Sequence, residues 1–259
     1  MRHGFPPGPL VGFAGVLALI TALDPGAAGW AVGLGSGAGV TALLSMGLAR
    51  ASRRRLLPAD RVTLTRAVAT CGVAALVGGQ LLGASSGREG SSPLVALASV
   101  ALLLDAVDGR VARRTGTVHP LGARFDMETD AFLILVLAVD VAPDLGWWVL
   151  GVGGARYLLL LVVLAGRWAP WLRGQVPARR WRKVVAAYQG VALTMAAAHI
   201  LPTYIGGVLV ALGLALLAVS FGTEVRTLRA LSAPADPDRD AAPACRDLPP
   251  AGLEAGALP

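Results

Sequence analysis

The chain has 259 residues, of which 55% are hydrophobic and 15% charged, with a mean hydropathy of +0.64. Long apolar runs at this composition exclude a water-soluble single-core globule and place the chain among polytopic membrane proteins. The net charge of +7 does not imply nucleic-acid binding, because the basic residues border apolar runs, where they act as topology signals.

An all-α fold of about eight transmembrane helices is expected. Residues 9–23 form a first apolar run, short for a span and preceded by one arginine, a pattern shared with signal peptides. No cleavage motif ends it, however. The Asp24-Pro25-Gly26 turn and a glycine-rich apolar run over 28–49 predict instead a helical hairpin, with glycines suited to close packing. The basic linker over 50–61 then marks a boundary, giving an extra N-terminal hairpin over 1–50 and a membrane domain over 51–231.

The third span, 63–84, opens with DRVTLTR. Asp60 is read there as a helix N-cap, and Thr63 and Arg66 as lining a cavity at the membrane surface. The fourth, from 93 to about 104, continues as helix through Arg113, and the fifth covers 122–142. The sixth, 146–166, contains Arg156 near mid-membrane. A charge at that depth is costly unless it faces a polar cavity or a partner, so two readings stand: ligand contact, or an ion pair, for instance with Asp140. The basic loop 167–183 carries Trp168, Trp171 and Trp181 as interfacial anchors. Spans seven (184–201) and eight (204–222) follow, with His199 read as a core residue rather than a metal ligand. The tail, 232–259, is rich in Ala, Pro and Asp and is expected to be disordered. Cys71 lies in an apolar run and Cys245 in this tail, which suggests neither a disulfide framework nor a metal cluster. With both termini inside, every Lys and Arg except Arg88 and Arg156 falls on one side. The positive-inside rule therefore puts the linker between spans four and five in the cytosol.

That linker is flanked by the stretch DAVDGRVARRTGTVHPLGARFDMETD, residues 105–130. At 100° per residue, Asp105, Asp108, Gly109, Ala112 and Arg113 share one helical stripe, and Gly122, Asp126 and Asp130 another. Two helices meeting at a short loop can thus aim four carboxylates and a guanidinium into one pocket. Oxygen ligands of this kind suit Mg²⁺ or Mn²⁺, whereas zinc favours Cys or His. Small residues on the stripe leave room for a ligand against the helix backbone, and an arginine at the helix end can grip phosphate with two donors.

The pattern Asp-x2-Asp-Gly-x2-Ala-Arg, eight residues, then Gly-x3-Asp-x3-Asp resembles the signature of the CDP-alcohol phosphatidyltransferases, with all eight fixed positions present. DRVTLTR resembles the family's Asn-x2-Thr-x2-Arg, with Asp60 in place of Asn, and RWRKVVAAYQG at 180–190 more loosely resembles the start of a later family helix. The resemblance implies a six-helix, dimerising membrane core and phosphatidyl transfer from CDP-diacylglycerol to an alcohol, with release of CMP. It implies metal binding, by two ions, at Asp105, Asp108, Asp126 and Asp130, with Asp130 also the candidate catalytic base. Nucleotide contacts are implied for Asp105, Gly109, Ala112, Arg113 and Gly122. Arg156, Arg182 and Lys183 are candidates to bind the acceptor. Glycerol 3-phosphate is the first expectation for that acceptor, with inositol phosphate or phosphatidylglycerol as alternatives, since Tyr157 follows Arg156 where phosphatidylglycerophosphate synthases often have Glu. A transporter or inactive scaffold is the other functional class, and an intact signature argues against it.

Overall fold

The computed structural model describes residues 7–51, 56–83, 92–115, 119–165 and 180–232. The expected tail and most of the tryptophan-bearing basic loop lie outside them, as do the side chains of Asp108, Ala112, Arg113, Trp181, Arg182 and Lys183. Among the described residues there are eight α-helices and no strand: α1 (Pro7–Leu23), α2 (Gly26–Arg50), α3 (Pro58–Leu82), α4 (Ser92–Thr115), α5 (Pro120–Leu145), α6 (Leu150–Ala165), α7 (Arg180–Ala197) and α8 (Thr203–Ser232). This is an all-α membrane protein. α2, α3 and the 203–223 segment of α8 are each long and apolar enough to cross a bilayer.

α3 is the centre of the bundle. Its apolar window is 72% buried, against 22% for α2 and for α8, because small residues such as Ala67, Ala74, Ala75 and Gly78 admit neighbours on every side. α4 and α5 pack on one flank and the α1–α2 hairpin on the other. The hairpin docks backbone to backbone: a Cβ on Gly29 would strike the Ala75 carbonyl, and one on Gly79 would strike that of Pro25. Lipid offers no hydrophobic drive to helix association, so close contact of this kind supplies dispersion energy instead.

One core joins Val73 and Val77 of α3 to Ala98 of α4, Leu137 of α5 and Leu193 of α7. A second joins Leu44 and Leu48 of α2 to Leu64 of α3 and Phe125 of α5. The hairpin therefore braces α5 beside Asp126.

Two expectations change. Asp60 caps α3 from its third residue rather than from the N-cap, accepting a hydrogen bond from the Leu57 N–H at 3.1 Å, because the helix starts earlier, at Pro58. His199 is not in the core. α7 stops at Ala197, and His199 lies in the turn to α8 with φ +51°. It is exposed, with Nδ1 2.8 Å from the Ala197 carbonyl and Nε2 3.2 Å from Asp144 Oδ2. The left-handed residue breaks the helix, and its ring meets the carbonyl left over at the end.

Candidate metal and active site

Asp105, midway along α4 where its apolar run ends, and Asp126 and Asp130, one turn apart on α5, each offer an oxygen within 4.8 Å of the others. The spacing of four between the α5 pair puts both on one face. α5 starts cleanly because His119 Nδ1 accepts the Leu121 N–H at 3.2 Å and Pro120, lacking an N–H, occupies the first helical position. Two carboxylates at this separation repel by roughly 3 kcal/mol or more at an effective dielectric of about 20, so the convergence needs positive charge.

Arg66 supplies it. It sits on α3, is 0% exposed, and reaches both carboxylate-bearing helices. Nη1 donates to Asp105 Oδ1 at 2.6 Å, and Nη2 to Asp126 Oδ1 at 2.5 Å and to the Asp126 carbonyl at 3.0 Å. Nη2 also lies 3.2 Å from Asp130 Oδ1. These contacts, at 2.5–3.2 Å, offset the repulsion among the acids. Among the described residues, three carboxylates against this one guanidinium leave negative charge in excess. An oxygen-only acidic set with that deficit, each Asp partly exposed, fits a hard divalent cation such as Mg²⁺ or Mn²⁺.

Gly122 is accounted for by packing. A Cβ there would lie 2.6 Å from Asp60 Oδ1, so α5 approaches α3 closely just before Asp126. Thr63, also expected at the cavity, is buried and donates to the Ala59 carbonyl at 3.2 Å. Asp108, Gly109, Ala112 and Arg113 all belong to α4.

Arg156, on α6, grips Glu128 of α5 as a fork, Nη2 to Oε1 at 2.6 Å and Nε to Oε2 at 3.3 Å. Its partner is Glu128, not Asp140. Twelve residues of helix turn Asp140 about 120° away from Glu128 around α5, and Asp140 is buried there. Both Arg156 and Glu128 keep part of their side chains accessible.

Sequence reasoning did not foresee two of these residues in their roles. The sequence places Arg66 only along a cavity at the membrane surface, although a charge this far into an apolar helix is a signal for a polar centre. Glu128 was not singled out, and only the need of Arg156 for a partner pointed to it.

No curated protein and no solved structure matches this chain. The family model described as CDP-alcohol phosphatidyltransferase matches residues 56–219, more than half of the chain and the whole of α3, α4 and α5 that build this centre, and the chain belongs to that family.

Proposed function

We propose that this protein transfers the phosphatidyl group of CDP-diacylglycerol to glycerol 3-phosphate with release of CMP, a step of phospholipid synthesis. We propose further that it does so as a multi-pass homodimer in the cell membrane, with its site on the cytosolic face. The family's chemistry is transfer from a CDP-alcohol to a second alcohol. The observation that best supports the finer reading is the convergence of Asp105, at the depth where the apolar run of α4 ends, with Asp126 and Asp130 in the first half of α5. A lipid's diphosphate would lie at that depth. The basic residues near it, Arg110, Arg114 and Arg124, support the cytosolic placement.

Asp105, Asp108, Asp126 and Asp130 would hold two Mg²⁺ or Mn²⁺ ions, whose charge would neutralise the diphosphate and stabilise departing CMP. The acceptor hydroxyl oxygen forms a bond to the phosphatidyl phosphorus as the bond from that phosphorus to the CMP oxygen breaks, and the hydroxyl proton passes to a carboxylate. Asp130 is the base in this reading. Its contact with Arg66 is the longest of the three, and it lies one turn further along α5 than Asp126. Gly109, Ala112, Arg113 and the Gly122 backbone cradle the nucleotide. Arg156, with N–H groups left after it grips Glu128, binds the acceptor phosphate together with Arg182 and Lys183.

The test is purified protein with CDP-diacylglycerol, Mg²⁺ or Mn²⁺, and a panel of glycerol 3-phosphate, inositol phosphate and phosphatidylglycerol. CMP is measured and products are identified by mass. A phosphatidylglycerophosphate product is expected. Activity with another acceptor only would overturn the specificity; no CMP with any acceptor, together with solute flux in vesicles, would favour a transporter.

A further inference from the structure

Arg66 is placed where ions and substrate phosphates would ordinarily be expected to supply the positive charge. It is rooted on the most buried helix of the bundle, is 0% exposed, and spans from Asp105 on α4 to Asp126 and Asp130 on α5. One of its contacts, to the Asp126 backbone carbonyl at 3.0 Å, does nothing for charge balance. It fixes the plane of the guanidinium and ties α5 to α3 at that residue.

From this we infer that Arg66 is a resident counter-cation. It holds the three carboxylates at ligand spacing before any divalent ion arrives, so that ion binding does not have to bring them together. The inference rests on the proposed function only in taking these carboxylates as the ion's ligands. Arg66 is a positioning residue, since it acts on the acids and not on the reacting atoms. A guanidinium suits the role because its planar fork sends one nitrogen to each helix at once, whereas an ammonium is a single point charge. A carboxylate also offers two oxygens and several lone-pair positions, so a contact with Arg66 does not use up its capacity for a metal.

The role predicts a dependence that a space-filling arginine would not show. Without Arg66 and without metal, the three acids lose the cation that spans them; with metal, the divalent charge replaces what was lost. The experiment is thermal unfolding of the full chain in detergent, in EDTA and in MgCl2, for wild type, Arg66→Gln and Arg66→Lys. Arg66→Gln is expected to lose several degrees of Tm in EDTA and to recover most of them in MgCl2, so that its metal-induced rise exceeds that of wild type. Arg66→Lys should fall between the two. Equal loss by Arg66→Gln in both buffers would overturn the inference, and so would a wild type whose Tm does not respond to MgCl2. If Arg66→Gln does not fold in EDTA, the double variant Arg66→Gln/Asp130→Asn decides. Removing one negative charge should restore a folded, monodisperse protein, and failure to do so counts against the role. CMP release by the wild type is scored separately. Release with parallel melting losses defeats the counter-cation alone, whereas the expected melting pattern without release defeats the proposed reaction alone.

Discussion

Asp60 and Gly122 stand so close that position 122 has no room for a side chain: a Cβ there would lie 2.6 Å from Asp60 Oδ1. The same carboxylate is held from its other side, since Oδ2 accepts the Leu57 N–H at 3.1 Å. Asp60 therefore cannot yield without giving up its cap on α3, and the start of α5 is set against the start of α3 by this one contact. Arg66 lies further along α3 and Asp126 one turn further along α5, so the contact fixes the distance over which the guanidinium must reach.

Gly122→Ala is accordingly expected to cost about 1 kcal/mol through the lost cap, to lower Tm, and to reduce CMP release by shifting α5. Asp60→Gly in the Gly122→Ala background removes the clash, so the two changes should couple by about 1 kcal/mol in a double-mutant cycle of melting measurements. Strict additivity would mean that the contact does not constrain the helices.

The turn between α7 and α8 gives a prediction that separates strain from pairing. His199 is left-handed at φ +51°, which costs a residue with a Cβ about 1 kcal/mol but costs glycine little. Its pair with Asp144 is exposed and is worth about 0–1 kcal/mol. His199→Gly should be close to neutral by thermal melting. His199→Ala keeps the strain and loses the pair, and should be the less stable of the two. A His199→Gly clearly less stable than wild type would show that the pair outweighs the backbone.

How much of this was legible in sequence depended on how local each signal was. The stripes at 105–113 and 122–130 were readable because helix period and residue type lie within a few turns, and the structure brings Asp105, Asp126 and Asp130 together as those stripes require. Arg66 was not readable in the same way, because its partners are 39 and 60 residues further on. Nothing near Arg66 in the chain says which acids it meets. Glu128 was missed for a related reason: it falls between Asp126 and Asp130 but on another face of α5, so a search for one stripe passes over it. His199 was misplaced because hydropathy carries on past Ala197, whereas the helix ends where the backbone turns left-handed. The docking of the hairpin through Gly29 and Gly79 was readable as composition, but the backbone atoms those glycines approach were not.

The pair of Arg156 with Glu128 separates a binding role from a bracing role. If Arg156 holds the acceptor phosphate, Arg156→Ala should raise the KM for glycerol 3-phosphate by about tenfold or more, the worth of a charge-assisted hydrogen bond. The KM for CDP-diacylglycerol should hardly move. Initial rates with each substrate varied in turn provide the check. Equal rises in both constants, or a drop in Tm with no kinetic change, would make the pair a clasp between α5 and α6.

Metal removal probes the centre most directly. Asp105, Asp126 and Asp130 present oxygen alone, and their charge is only partly met by Arg66, so a chelator should stop CMP release and Mg²⁺ or Mn²⁺ should restore it. Zn²⁺ should restore it poorly, since among the described residues no Cys or His joins the set. Asp126→Asn keeps the shape of the side chain but removes one negative charge and one strong acceptor. Its loss of turnover should be about a hundredfold or more, the scale on which a preorganised charge contributes to a reaction of this kind. The same substitution also weakens the hold of Arg66 on α5, so excess Mg²⁺ should rescue Asp126→Asn only in part. Full rescue would mean that Asp126 merely raises ion affinity, and turnover that survives chelation would remove the ion from the chemistry altogether.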